Sequence, residues 1–312
     1  MSRQKDINPK MRSILIDWLI EVHDKFKLQP QTLWLSINIL DRYLENVQIL
    51  RSKLQLVGIA ALLIASKYEE IYPPEVKDCV YITDNAYDRP EILAMETAIL
   101  TKLEYKITVP TGYHFLIRYL NCIQASERTR HLASYYAERN LQESDMLCVP
   151  PHKFAAAAVY AALMQQNEYI MRLSSATVWG KTLEEESGLS EKDLKPCAIN
   201  IISHVREESE TASKRRLNAT KKKYNSGKYS GISSLTLPRL WSTSFQHSSR
   251  HRMAPWCPSF MYPPSSSSLL TATHYNRARQ VTNTHHWATN ISDAVMLRAL
   301  SLSATDNLNT IE

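Results

Sequence analysis

Residues 54–66 read LQLVGIAALLIAS, a run without a charged side chain. Wound as a helix, the run places large apolar side chains on every side, while Gly58 and its alanines let neighbouring helices approach closely. A helix that is apolar all round belongs in the middle of a bundle. The run is too short to cross a bilayer, so it predicts a buried central helix and no membrane span.

Prolines and capping residues mark further helices on both sides of this central one. A proline in the first turn costs a helix nothing, and Ser52 and Asp88 are suitable N-caps. Pro73 and Pro74 end the central helix, because a proline lacks the N–H and disfavours helix in the residue before it. The predicted helices are residues 9–27, 31–46, 52–70, a short one after Pro74, and 88–103.

A second small-residue run, AAAAVYAA at residues 155–162, matches the first in character and predicts a second central helix. This central helix is predicted at residues 151–165, and the helices around it at residues 112–123, 126–141 and 190–210. Ser190 and Asp193 resemble a capping box. The repeated layout predicts an all-α protein of two successive helical domains, residues 1–108 and 109–237.

Residues 238–312 lose this periodicity and are dominated by Ser, Thr, His and Pro, which predicts a largely disordered tail. Three tryptophans, Trp241, Trp256 and Trp287, are unusual in such a tail. Two interpretations stay open, a functional segment or a gene-model artefact such as a mis-predicted exon. The basic residues also concentrate late in the chain, with 13 Lys and Arg against 3 Asp and Glu in residues 213–312.

Enzyme motifs are missing from the sequence: it contains no phosphate-binding glycine loop, nucleophile elbow or zinc-protease pattern. Histidine and cysteine do not cluster at metal-ligand spacings, and Glu69 and Glu70, being adjacent, point to different helix faces. We therefore predict no catalytic residues, no metal and no cofactor. The odd number and wide spacing of the cysteines favour free thiols in a reducing compartment. They are Cys79, Cys122, Cys148, Cys197 and Cys257.

The first helix carries one apolar stripe, because Met11, Ile14, Leu15 and Trp18 follow the spacing i, i+3, i+4, i+7. Further apolar residues lie at other angles of the same helix. One stripe can serve the core, which leaves a second as a candidate exposed binding patch. Spacing alone favours core for all of them.

Several stretches resemble the A- and B-type mitotic cyclins, with a preference for the B type. They are MRSILIDWLIEV at 11–22, ASKYEEIYPPE at 65–75, LKPC at 194–197 and KYNSGKY at 223–229. The likeness runs from about residue 6 to 235. It implies two successive five-helix cyclin-box domains and a non-catalytic subunit that binds and activates a cyclin-dependent protein kinase at G2/M. It also implies residence in the nucleus and cytoplasm, with no cofactor, no membrane and no direct nucleic-acid contact.

The resemblance assigns roles to individual residues. Lys67 and Glu96 would hydrogen-bond the kinase backbone and hold its regulatory helix in the active position. The alternative interpretation is that Lys67 has no role in binding and only extends its ammonium group from a buried helix into water. The apolar kinase-facing positions are Ile64, Tyr68, Ile82 and Tyr105. The remaining signature positions of the box are Arg12, Asp41 and Leu56.

A second set of residues matches the family's substrate-docking patch, which receives an Arg-x-Leu peptide from substrates or inhibitors. The leucine enters an apolar groove, and Glu21 pairs with the arginine. The patch positions are Met11, Ile14, Leu15, Trp18, Glu21 and Gln55. The destruction box of mitotic cyclins is not found in this sequence, and the RxxL matches at 12–15 and 51–54 fall inside predicted helices, so we interpret them as structural.

Two other functions remain as alternatives. A cyclin-fold scaffold in transcription or nucleic-acid binding would draw on the basic tail and would bind DNA in a salt-sensitive way. The mildly acidic balance of residues 1–212 weighs against it. The third interpretation is an inactive fragment produced by a faulty gene model.

Overall fold

A computed structural model describes residues 4–166, 178–210 and 217–235, and within these ranges the chain is helical with no strand. The predicted all-α fold is confirmed. The first bundle contains α1 Pro9–Lys25, α2 Pro30–Asn46, α3 Leu54–Glu69, α4 Val76–Ile82 and α5 Arg89–Lys102. The second contains α6 Gly112–Cys122, α7 Glu127–Asn140, α8 Pro151–Gln166, α9 Lys181–Ser187 and α10 Glu191–Glu210. A short helix, α11 Ala219–Tyr224, follows them.

Helix α3 is the centre of the first bundle, as its uncharged sequence predicts. Every residue from 56 to 66 is buried, and the helix packs against α1, α2, α4 and α5. Gly58 permits the close approach of α1, since a Cβ there would lie 2.8 Å from Cδ1 of Leu15. The core therefore fixes where α1 and α5 run, and these two helices together with α3 carry most of the candidate site.

Local capping sets the helix ends, in part as predicted. Asp88 accepts from the backbone N–H of Glu91 at 2.8 Å, and Glu91 accepts from that of Asp88 at 3.2 Å, which completes a capping box. The expectation for Ser52 is wrong. It lies in a 3-10 turn, Arg51–Lys53, and α3 begins only at Leu54 without a side-chain cap. The carbonyl of Ser52 instead accepts from the Tyr87 hydroxyl at 2.8 Å.

The second bundle is built around α8, which packs against α6, α7, α9 and α10. Its alanine run is fully buried, in agreement with the predicted second central helix. The sequence reading missed α9, although Gly188 marks its end with φ +68°, the left-handed conformation that glycine supplies at helix ends. At the next helix, Ser190 donates from N and Oγ to the Asp193 carboxylate at 3.0 and 2.6 Å.

The two bundles are joined by α2 against α6 and by α11, which lies on both α1 and α7. Trp34 of α2 belongs to the second core, and a Cβ on Gly112 would lie 2.6 Å from its ring. Within α11, Ala219 belongs to the first core and Tyr224 to the second. Helix α11 is thus a strap across the interface, which the periodicity did not predict.

Three further predictions concern membrane spans, the cysteines and the tail, and the structure can be compared with them only over the described residues. Among the described helices, none combines the length and apolar character needed to cross a bilayer. Four cysteines are free thiols, at positions 79, 122, 148 and 197. The tail at 238–312, with Cys257 and its three tryptophans, lies outside the described residues.

Candidate functional site

Lys67 and Glu96 form an ion pair between α3 and α5. The ammonium Nζ of Lys67 lies 2.9 and 3.0 Å from the two carboxylate oxygens of Glu96. Their side chains are 20% and 11% exposed, so the pair is mostly buried but reaches the surface. The two residues that the resemblance assigned to kinase contact are therefore neighbours, and each is the other's partner in the isolated chain.

The four predicted apolar kinase-facing residues differ in exposure. Tyr105 is exposed and has φ +56°, whereas Tyr68 and Ile82 are half-buried. The hydroxyl of Tyr68 hydrogen-bonds Oγ1 of Thr108 at 2.7 Å, a contact that a phenylalanine there would lack. Ile64 is buried in the first core, so its main contacts are internal to the domain.

Three exposed apolar residues in the same part of the chain were not predicted. Ile71 and Tyr72 follow α3, and Tyr81 lies on α4, with exposed fractions of 87%, 91% and 73%. Exposed large apolar side chains concentrated in one segment indicate an interaction surface. The signal in the sequence was the pair of large residues placed directly before Pro73 and Pro74, where no helix can bury them.

The predicted docking patch lies on α1, but one of its members is not at the surface. Ile14 is 50% exposed, Glu21 is exposed, and Met11 and Trp18 are half-buried, as is Gln55 on α3. Leu15 is only 5% exposed and lies against Gly58. Its place in an exposed patch is corrected, because the close approach of α1 and α3 directs this side chain into the core.

Polar side chains of α1 bind the second bundle. Arg12 makes a two-bond ion pair with Asp41 and also donates to the carbonyl of Leu141 at 3.1 Å. Ser13 donates to the carbonyl of Gln142 at 2.7 Å, and Asp17 accepts from its side-chain amide at 3.0 Å. Burial raises the pKa of Asp17 against these hydrogen bonds. The other signature residue, Leu56, is buried in the first core.

Glu21 has a partner from the far end of the described chain. Nζ of Lys222, on α11, lies 3.3 Å from Oε1 of Glu21. The next residue, Lys223, is buried and binds both carboxylate oxygens of Glu138 at 2.7 and 2.8 Å. Part of the basic run at 221–223 is thus compensated by carboxylates of the same chain. Sequence reasoning missed Lys222, because nothing local links it to α1.

Of the two adjacent acidic residues at the end of α3, Glu70 has a structural role. Glu70 accepts from the backbone N–H of Gln29 at 2.7 Å and from the Thr32 hydroxyl at 2.5 Å. Its carboxylate therefore caps the first turn of α2, where backbone N–H groups lack helical partners. Burial raises the pKa of Glu69.

One side-chain cluster could not be predicted from the sequence, because His204 is far along the chain from Glu143 and Asp145. Each of the three offers a ligand atom within 4.8 Å of the others. Both carboxylates already have partners from the chain: Arg139 lies 2.8 Å from Glu143, and His204 lies 3.4 Å from Asp145. Burial raises the pKa of Asp145, but the hydrogen bond and charge of His204 outweigh it and lower the pKa. We interpret the cluster as ion pairing between α7, α10 and the turn between α7 and α8.

Both bundles match families of known proteins. Residues 1–108 match the family described as cyclin, N-terminal domain, and residues 110–238 match that described as cyclin, C-terminal domain. The chain is 44% identical over 225 residues to cyclin-B1-3 of Arabidopsis thaliana, covering 72% of this chain and 52% of that protein. It is 43% identical over 235 residues to cyclin-B1-1 of Oryza sativa subsp. japonica, covering 73% and 50%.

A third relative is covered more fully. The chain is 40% identical over 230 residues to G2/mitotic-specific cyclin-2 of Medicago sativa, covering 74% of this chain and 67% of that protein. The chain spans about half the length of the two B1 relatives. Among solved structures, a viral cyclin from herpesvirus saimiri superposes with a TM-score of 0.58 at 23% identity, covering 66% of this chain and 89% of that chain. This last likeness shows the fold alone.

Proposed function

Since the chain is a member of the cyclin family, we propose that it is a non-catalytic regulatory subunit that binds and activates a cyclin-dependent protein kinase. The names of its relatives, B-type and G2/mitotic-specific cyclins, support action at entry into mitosis. Catalysis belongs to the kinase. The subunit shifts the kinase towards its active conformation by binding that conformation more tightly.

The observation that carries this proposal is the ion pair between Lys67 and Glu96. An ammonium has three donors and a carboxylate has about four acceptor positions, so the pair keeps capacity for further hydrogen bonds at its exposed edge. Lys67 can donate to a backbone carbonyl of the kinase while Glu96 accepts from a backbone N–H. The pair is already oriented, so less side-chain entropy is lost on binding.

Exposed apolar residues that lie close to Lys67 and Glu96 in the sequence support the same proposal. Tyr105, Ile71, Tyr72 and Tyr81 are exposed in the isolated chain. Covering them with a kinase would remove apolar area from water, at about 25 cal/mol per Å². Apolar contacts around a charged pair also exclude water from it, which strengthens its hydrogen bonds.

We further propose that Met11, Ile14, Trp18 and Glu21 receive Arg-x-Leu segments of substrates or inhibitors. Ile14 and Glu21 are the exposed members of this patch. Burying a leucine side chain contributes roughly 1.5–3 kcal/mol, and an exposed ion pair adds about 1 kcal/mol or less. Such docking is modest in affinity and serves to raise the local concentration of substrate at the kinase.

The kinase proposal is tested with a double variant, Lys67→Ala with Glu96→Ala, in the full chain. We expect its affinity for a mitotic cyclin-dependent kinase to fall at least about tenfold, with a parallel loss of histone phosphorylation. A matched control is Lys53→Ala with Glu91→Gln. It removes another ion pair, which joins the turn before α3 to α5 at 2.6 Å, and glutamine preserves the capping box.

Equal kinase affinity in the two double variants would contradict the assigned surface. Circular dichroism of all variants checks that the helices are retained. We also propose that the protein resides in the nucleus and cytoplasm. Fluorescence of a tagged full chain in dividing cells tests this, and exclusive residence in another compartment would contradict it.

A further inference from the structure

We infer that Lys222 makes the docking patch on α1 select peptides that carry a carboxylate beside their arginine and leucine. This inference rests on the proposed docking function and names the chemistry of its partner. In the isolated chain Lys222 pairs with Glu21, the carboxylate proposed to receive the arginine. The carboxylate of Glu21 is therefore already paired with an ammonium group before a docking peptide binds.

Both members of this pair are accessible to a peptide. The side chains of Lys222 and Glu21 are 65% and 50% exposed, and they are 3.3 Å apart at their closest atoms. Glu21 lies one turn beyond Trp18 on α1, so it borders the apolar part of the patch. An incoming arginine must compete with the ammonium of Lys222 for the same carboxylate oxygens.

The backbone that carries Lys222 is held firmly in place. The next residue, Lys223, forms a buried pair with Glu138, in which both side chains are only 3% exposed. At the start of α11, the backbone N–H of Ala219 donates to Asp17 at 3.0 Å. Helix α11 therefore stays on α1 while the long side chain of Lys222 swings away from Glu21.

Counting ion pairs shows which peptides gain from this arrangement. A peptide with arginine alone replaces the pair between Glu21 and Lys222 with another exposed pair, and Lys222 loses its partner. A peptide that also carries Asp or Glu offers the displaced Lys222 a new partner, so it gains one pair overall. An exposed ion pair contributes about 0.2–1 kcal/mol, and the upper value corresponds to a roughly fivefold change in affinity.

The docking site is therefore built from both ends of the described chain. The first bundle supplies the apolar residues and Glu21, and the strap after the second bundle supplies the charge that sets selectivity. Glu21 and Lys222 are 201 positions apart.

The test measures binding of synthetic peptides to the full chain by fluorescence anisotropy. Three peptides share one sequence: an Arg-x-Leu peptide with a flanking glutamate, the same with that glutamate replaced by alanine, and one whose leucine is alanine. Each is measured against the unmodified protein, Lys222→Gln and Lys221→Gln. The Lys221 variant is the matched control, since it removes the same charge from the neighbouring position of the same helix.

We expect the unmodified protein to prefer the glutamate peptide about two- to fivefold. Lys222→Gln should abolish this preference and bind the alanine-flanked peptide more tightly, because its arginine no longer competes with an ammonium. Lys221→Gln should retain the preference. Raising the salt concentration should weaken the preference, as for any exposed ion pair.

An equal preference for the glutamate peptide in the unmodified protein and in Lys222→Gln overturns the inference while leaving docking intact. A loss of preference in Lys221→Gln as large as in Lys222→Gln also overturns it, since the effect would then come from general charge. If replacing the peptide leucine by alanine changes nothing, the proposed docking function fails, and the inference fails with it.

Discussion

The guanidinium of Arg12 and the carboxylate of Asp41 lie side by side, with Nε 2.6 Å from Oδ1 and Nη2 2.7 Å from Oδ2. Both side chains are buried, and the third nitrogen of Arg12 reaches the carbonyl of Leu141. Only a planar guanidinium can bind two carboxylate oxygens and a carbonyl in this way. This pair joins α1, α2 and the residue that follows α7 in the second bundle, so it fixes α1, which also carries the candidate docking patch.

Replacing Arg12 should therefore destabilise the whole molecule. Arg12→Met leaves the Asp41 carboxylate buried without a cation, and we expect the free energy of unfolding to fall by about 3–5 kcal/mol. Arg12→Lys should also destabilise, since an ammonium cannot replace the paired bonds. Urea denaturation of the full chain measures both losses. An Arg12→Met variant as stable as the original protein would contradict the structural role of the pair.

The neighbouring lysines of α11 should respond differently to the same substitution. Lys223→Met removes the buried partner of Glu138 and should cost about 3–5 kcal/mol of unfolding free energy. Lys222→Met removes a largely exposed pair and should cost less than about 1 kcal/mol. Chemical denaturation of the two variants in parallel gives the comparison. A similar loss of unfolding free energy in both variants would show that burial of an ion pair does not determine its contribution to stability.

His23 should make the protein sensitive to acid. Burial lowers its pKa to about 3, with the positive charge of Lys223 acting in the same direction and the hydrogen bond to the Gln29 carbonyl opposing them. Lys228 and Asp24 also act on this ring, in opposite senses. Below the unfolded-state pKa of about 6.5, the unfolded chain binds a proton that the folded chain does not bind. The free energy of unfolding should therefore fall as pH falls, by about 2 kcal/mol between pH 7 and 5.

The variant His23→Gln isolates this effect. It removes the titrating ring, and its amide can still donate to the Gln29 carbonyl. Denaturation at pH 7, 6 and 5 should show a shallower pH dependence for the variant than for the original protein. Asp17 acts in the opposite direction, because its pKa is raised and the folded state binds its proton more readily. Identical pH profiles would rule out His23 as the source.

The contact between Gly112 and Trp34 should not tolerate an added methyl group. A Cβ at Gly112 would lie 2.6 Å from the ring of Trp34, which is buried between the bundles. We expect Gly112→Ala to lower the unfolding free energy by about 1–3 kcal/mol. Gly227→Ala is the matched control, because no atom lies within 4 Å of its added Cβ. Thermal unfolding of both variants should separate a steric clash from the general effect of replacing glycine.

Much of the fold was predictable because its signals are local. Pro9, Asp88 and the prolines after α3 place helix ends within a few residues, and the two small-residue runs identify both central helices. Ser52 failed as a cap because the turn before α3 is a 3-10 turn, which sequence composition does not distinguish from the first turn of an α-helix. Helix α9 and helix α11 were missed because their short sequences carry little periodicity.

The candidate site required the tertiary structure. Ile14 and Leu15 are adjacent members of one apolar stripe, yet Ile14 is exposed and Leu15 is buried, because Gly58 brings α3 close to only one of them. Ile71, Tyr72 and Tyr81 could be identified as exposed only from the tertiary structure, which places their side chains outside the core.

The sequence by itself determined that the chain is helical, that it has two central helices, and that it resembles mitotic cyclins. It did so through proline, capping residues and side-chain spacing, which act over one or two helical turns. Only the tertiary structure decided that Lys67 pairs with Glu96, that the charge of Arg12 is buried, and that Lys222 pairs with Glu21. Those pairings join residues from 29 to 201 positions apart, and their partners are fixed by how the helices pack.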